Sequence, residues 1–197
     1  MKFCFFVLFF ALAPFHTVSA QEQFSNLGFL RDTIWFSQDP FFEGDDVRIY
    51  SAVFNSSSSD LKGTVQFIVD EAPIGTADFT ALKEGGIGTV WTDWRATEGT
   101  HSFAANISAA KLSLQGGEEQ EITISNSIAE PTQRVIDIDT DKDRVGDKED
   151  KDDDNDGISD AREQILGTNP KQADTDGDGI PDNEDAKPLE PTQGLEG

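Results

Sequence analysis

The stretch Asp152-Asp-Asp154-Asn-Asp156-Gly-Ile158-Ser-Asp160-Ala-Arg-Glu163 sets acidic residues at positions 1, 3, 5, 9 and 12 of a loop-length segment. The spacing recurs upstream in Asp139-Thr-Asp141-Lys-Asp143-Arg-Val145-Gly-Asp147-Lys-Glu-Asp150. It recurs downstream in Asp174-Thr-Asp176-Gly-Asp178-Gly-Ile180-Pro-Asp182-Asn-Glu-Asp185. Position 7 offers a backbone carbonyl from Val145, Ile158 or Ile180. This is the ligand set of a hard cation such as Ca²⁺, which takes about six to eight oxygens. Gly157 and Gly179 occupy position 6, where the loop must turn sharply. Arg144 holds that place in the first loop. A solvated acidic tail has no reason to repeat one register three times, so every acid numbered above, with the carbonyls of Val145, Ile158 and Ile180, is a candidate Ca²⁺ ligand. Mg²⁺ fits less well because it keeps its waters. Zinc fits less still, since no cysteine or histidine lies in this region.

The loops are not helix-loop-helix units. Their apolar residue stands at position 7, not 8, and only Lys151 separates the first loop from the second. Asp156-Gly-Ile-Ser-Asp-Ala-Arg-Glu163, then Leu166-Gly-Thr-Asn-Pro170 and Asp174-Thr-Asp-Gly-Asp-Gly-Ile180, carry a likeness to a known family. The segment from about 137 to 188 resembles the thrombospondin type 3 calcium repeats, in the form common on bacterial surface proteins. The resemblance implies ions strung along the chain in place of a side-chain core. The first loop departs from the pattern at Arg144.

Charge arithmetic leads to a similar expectation. Residues 131–197 hold 21 acidic and 8 basic side chains and few large apolar ones. Such a segment cannot bury enough apolar surface to offset its ordering entropy. Its folding is expected to be conditional on metal, because ion-binding free energy becomes folding free energy. A short helix is predicted over 160–166, ended by Gly167 and Pro170, with Ile165 and Leu166 as its apolar anchors.

The N-terminus reads as a secretory leader over residues 1–20: Lys2, an apolar run from Phe3 to Ala13, and small residues at Val18-Ser-Ala20. The apolar run is shorter than the roughly 20 residues needed to span a membrane. Removing the leader removes Cys4, the only cysteine, and takes the formal net charge from −23 to −24. Cations could then serve as the staple that disulfides provide in other exported chains. No basic stripe is present, so nucleic acid and anionic membranes are not expected partners, and no membrane insertion is expected after cleavage.

The middle of the chain alternates short β-branched and aromatic runs with Gly, Ser, Asp and Pro breaks. Strands are predicted near 29–36, 47–54, 63–69, 74–80, 87–94, 100–107 and 120–126. The fold class expected is all-β: a seven-stranded immunoglobulin-like sandwich over 21–130. A calcium-ordered, loop-rich acidic repeat segment with little regular secondary structure follows over 131–188, and a flexible tail over 189–197. Gly44-Asp-Asp-Val47-Arg-Ile49, Val53-Phe-Asn55, Gly63-Thr-Val-Gln-Phe67, Ile74-Gly75, Trp91–Trp94 and Gly99-Thr-His101 carry a second likeness. On these residues the region resembles the bacterial adhesion-related immunoglobulin-like domains labelled CARDB. That resemblance implies a fold and a surface habitat but transfers no functional residue.

Trp35, Tyr50, Trp91 and Trp94 could form an aromatic platform for sugars, although such residues more often build sandwich cores. Trp91 and Trp94 are three apart, so on a regular strand they face opposite sides. His101 has no cysteine or nucleophile-elbow serine to work with, and the acids of the middle region sit in predicted turns. No enzyme is expected. Asn55-Ser-Ser57 and Asn106-Ile-Ser108 are glycosylation sequons, expected to be silent in a bacterial-type chain. The sequence therefore predicts an exported protein of the cell surface, extracellular space or periplasm. It would be a calcium-binding adhesion or interaction module, with a protein or glycan ligand on the immunoglobulin-like head. The alternatives are a carbohydrate-binding accessory protein and a structural spacer from a larger surface protein.

Overall fold

The computed structural model describes residues 27–191, so the expected leader at 1–20 and most of the expected tail lie outside the described residues. Eight strands precede one helix: β1 (Leu27–Phe36), β2 (Asp46–Asn55), β3 (Asp60–Val69), β4 (Ala72–Ala81), β5 (Gly86–Arg95), β6 (Gly99–Ser113), β7 (Glu119–Glu121), β8 (Thr132–Ile136) and α1 (Asp160–Leu166). A three-stranded sheet runs β1-β2-β5, and a five-stranded sheet runs β4-β3-β6-β7 with β8 also on β6. All pairings between these strands are antiparallel.

Period-two patterning explains the sandwich. On β2, Val47, Ile49, Ser51 and Val53 are buried while Arg48, Tyr50, Ala52 and Phe54 are more exposed. On β3, Val65, Phe67 and Val69 face the same interior. Phe103 stands at one end of the core, with Phe36 at 4.9 Å, Trp94 at 5.3 Å and Phe41 at 6.5 Å between ring centroids. Edge-to-face contacts of this kind add to burial.

Three expectations change. β6 does not end near 107, because a register shift between Thr64 and Val65 lets Ser108 bulge, after which Ala110 and Leu112 point inward. The strand expected over 120–126 shrinks to 119–121. The sandwich also continues past residue 130, since β8 pairs with β6 from Gly99↔Ile136 to Phe103↔Thr132 and buries Ile136 completely. The eighth strand was hidden because Thr-Gln-Arg-Val-Ile presents few apolar residues at the edge of an acidic segment.

Asn55, read from sequence as a sequon, is fully buried. Its Nδ2 donates to the carbonyls of Ser59 (2.9 Å) and Ala81 (2.8 Å), and its Oδ1 accepts from Ser57 N (3.0 Å) and Oγ (2.7 Å). The amide ties the β2–β3 turn to the end of β4 and is not presented for modification. Asn55→Ala is expected to destabilise the protein by about 1–3 kcal/mol by leaving these buried groups unpaired. A denaturant titration whose midpoint did not move would refute that role.

Candidate metal centre

The three acidic loops share one backbone. Position 4 lies in the left-handed region at Lys142 (φ 68°), Asn155 (φ 56°) and Gly177 (φ 77°). Position 6 does so at Arg144 (φ 79°), Gly157 (φ 96°) and Gly179 (φ 94°). The residue at position 6 donates its N–H back to the carboxylate at position 1: Arg144 to Asp139 (3.1 Å), Gly157 to Asp152 (3.1 Å), Gly179 to Asp174 (2.7 Å). Position 5 donates to the carboxylate at position 3, at Asp141, Asp154 and Asp176. Position 7, at Val145, Ile158 and Ile180, donates to the carboxylate at position 5, at Asp143, Asp156 and Asp178. Each aspartate is thereby fixed in orientation by the backbone, through one oxygen in most cases and through both at Asp174, whose Oδ1 also accepts from Gly177 N–H (2.9 Å).

Where do the other oxygens go? The structure gathers Asp139, Asp141 and Asp143 into one triplet, Asp152, Asp154 and Asp156 into a second, and Asp174, Asp176 and Asp178 into a third. Within each, one carboxylate oxygen per residue lies within 4.8 Å of the others. Asp139 Oδ1, Asp152 Oδ1, Asp154 Oδ2, Asp156 Oδ2 and Asp176 Oδ2 are shielded from solvent and accept no hydrogen bond. Position 12 adds Glu163 Oε2 and Asp185 Oδ2 in the same condition. Burial, then the charge of Asp154, pushes the Glu163 carboxyl up to about 7. Burial likewise raises Asp154 and Asp176. Convergent, desolvated, unpaired oxygens fit a divalent cation with oxygen ligands, which would supply the missing positive charge. Asp139–Asp143, Asp152–Asp156 with Glu163, and Asp174–Asp178 with Asp185 are the groups that would hold it.

Two sets of expected ligands carry hydrogen bonds of their own. Position 9 closes the loop. Asp147 accepts from Thr140 N and Oγ1 (both 2.9 Å) and from Lys171 Nζ (2.7 Å). Asp182 accepts from Thr175 N (2.9 Å) and Oγ1 (2.6 Å), and Asp160 from Asp153 N (3.0 Å). Strong donors across the loop fully engage Asp147 and Asp182. Asp150 Oδ1 accepts from the N–H groups of Lys151 and Asp152, as Asp185 Oδ1 accepts from Lys187 N–H.

Helix α1 spans Asp160–Leu166 and ends at Gly167 in the left-handed region, as the sequence predicts. Its anchors differ. Ile165 is 76% exposed and Leu166 is also exposed, whereas Glu163 is 0% exposed. Beyond Ile136, the buried side chains among the described residues are Asp153, Glu163, Thr168 and Asp182. The interior of the segment is built from carboxylates.

Sequence reasoning missed the joint to the sandwich. Arg144 donates to Asp45 (3.1 Å) and to the Pro40 carbonyl (3.0 Å), and its guanidinium lies 5.1 Å from the Phe42 ring centroid. The Asp137 carbonyl accepts from Glu43 N–H, and Lys148 bridges Asp137 and Glu98. A non-glycine residue in the left-handed region costs about 1–2 kcal/mol; here the side chain that incurs it docks the first loop. Also missed were the clasps within the segment, Asn155 to Asp141 (2.9 Å) and Lys171 to Asp147. Neither has a local sequence signal.

Residues 152–173 and 174–184 match the family described as the bacterial TSP3 repeat. The match takes in the second and third loops. No curated protein matches the chain. The first loop lies outside the family match and has Arg144 where the two matched loops have Gly157 and Gly179. His101 sits far from these loops in sequence, with Nδ1 2.6 Å from Asp70 Oδ2 and Nε2 3.0 Å from the Thr97 carbonyl oxygen, bracing two turns of the sandwich.

Arg144→Gly should relax the first loop yet free it from the sandwich. Limited proteolysis around 137–148 is expected to quicken several-fold while sandwich stability holds; unchanged cleavage would rule out the docking role. A second outcome follows from Glu163. A raised carboxyl pKa stabilises the metal-free fold below its ordinary 4.5 and loses that contribution as pH rises through about 7. Cation binding must therefore expel a proton, and affinity should rise with pH across this window. Titration in weak buffer at about pH 6 reads the release directly, and Glu163→Gln should reduce it.

Proposed function

We propose that the protein is an exported calcium-binding interaction module. In it, Ca²⁺ orders the acidic segment and holds it as a stalk against an immunoglobulin-like head. The observation that carries this reading is the set of shielded, unpartnered carboxylate oxygens converging where a globular segment would place apolar side chains. Ca²⁺ is favoured over Mg²⁺ because each site draws on protein oxygens from one flexible loop. Extracellular sites of this kind bind with Kd of about 10⁻⁴ to 10⁻³ M, so external calcium would order the stalk only after export.

The head reading rests on strand order. Sheets β1-β2-β5 and β4-β3-β6-β7 correspond to strands A-B-E and C′-C-F-G of an immunoglobulin-like sandwich, which supports the CARDB likeness and an adhesive role at the cell surface. No helix among the described residues is long and apolar enough to cross a membrane.

Calorimetric Ca²⁺ titration with circular dichroism in Ca²⁺ and in chelator tests the proposal. Saturable binding of two or more ions should accompany a gain of order, with sandwich melting retained in chelator. The paired substitution Asp154→Asn and Asp156→Asn should remove one site. Identical spectra and no heat at millimolar Ca²⁺ would leave the repeats a solvated acidic tail.

A further inference from the structure

The outer face of the three-stranded sheet carries aromatic rings in one cross-strand row. Trp35 on β1 pairs with Tyr50 on β2, and Tyr50 pairs with Trp91 on β5. The Trp35 and Tyr50 rings lie 7° from parallel with centroids 5.7 Å apart. Trp35 is 40% exposed and Trp91 47%. Trp94, three residues on, turns into the core against Phe103. The tryptophans on the outer face have thus been left in water although the same sheet buries its other face well.

A polar row flanks the aromatic one. Arg48 lies beside Tyr50 on β2, pairs with Asp93 (2.9 Å) and covers one side of the Trp91 ring at 3.7 Å. Arg95 pairs with Asp46 (3.1 Å) one step further. Arg48, Asp93, Arg95 and Asp46, with Ser37 and Tyr50, line an open depression of about 550 Å³ beside the row of rings. Donors and acceptors alternate there, and the two ion pairs cancel locally in a chain of formal charge −23.

We propose that this face binds a neutral polysaccharide of flat, equatorially substituted pyranose rings. Sugar rings stack their C–H faces on exposed aromatics, and neighbouring hydroxyls both donate to a carboxylate and accept from a guanidinium. The local balance of charge matches an uncharged ligand, while the acidic chain as a whole repels an anionic one. The same face continues through the Phe54–Ile87 pair, with Ile87 59% exposed; that length suits a linear chain, and the flanking donors and acceptors suit hydroxyls more than an apolar protein surface. The inference does not depend on the calcium reading, since none of these residues belongs to the acidic loops.

The test is depletion of the purified chain by microcrystalline cellulose and by chitin, with soluble laminarin followed by tryptophan fluorescence and alginate as the anionic comparison. Retention on at least one neutral polysaccharide is expected, persisting in chelator. It should fall about tenfold or more in Trp91→Ala and in Trp35→Ala, with Ca²⁺ titration and melting as in the parent. Arg48→Gln, half-buried and outside the core, supplies a second variant should an alanine substitution impair folding, and it should weaken binding too. Three outcomes would overturn the proposal: no retention on any neutral polysaccharide, retention unchanged in all three variants, or preference for alginate. A dimer that Trp91→Ala dissolves, without any glycan binding, would assign the face to a second copy of the chain instead.

Discussion

Carboxylates cannot be buried together without compensation, and this constraint governs the second half of the protein. From Asp139 to Asp185 the chain turns its aspartates inward by the same three backbone hydrogen bonds in each loop. The result resembles a core in burial and the opposite of one in chemistry. Like charges at a few ångströms in a desolvated setting repel strongly, so the fold of the segment and its cation content are one question. The raised pKa values of Asp153, to about 6, and Glu163, to about 7, express the same strain in the metal-free chain.

Two kinds of interior therefore meet at residues 136–144. On one side, Ile136 closes an apolar sandwich core. On the other, Asp139 begins the first carboxylate triplet. Arg144 belongs to both, since its backbone makes the sharp turn of the first loop while its guanidinium reaches Asp45 and Pro40 on the sandwich. Glycine would serve the turn better, but it would leave the first loop undocked. The departure from the repeat pattern thus has a structural reason, and it falls at the one loop that touches the sandwich through that position.

The two sheets also divide their labour. The five-stranded sheet, through β6 and β8, delivers the chain to the acidic segment. The three-stranded sheet keeps its outer face for the Trp35–Tyr50–Trp91 row. Cation binding and any contact made by the aromatic face are then carried by separate parts of one chain, with the Asp45–Arg144 pair linking sandwich and first loop.

Much was legible in the sequence because it rests on local periodicity. Alternation on β2 and β3, the helix ended by Gly167, and the register of the three loops are all set by neighbours within about a dozen residues. The triplets at positions 1, 3 and 5 belong to this class, since the loop backbone alone converges them. What required the tertiary structure was every feature made by residues distant in sequence. The strand β8 exists only because β6 offers it an edge. The role of position 9 depends on a donor across the loop. Arg144 finds Asp45 only after the sandwich has brought it near, and Lys171 finds Asp147 only after the loops fold back. Which tryptophans face water was half legible, because strand alternation separates Trp91 from Trp94 but cannot say which sheet face is covered. Spacing fixes the ligands that one turn can gather, and packing decides what those turns are held against.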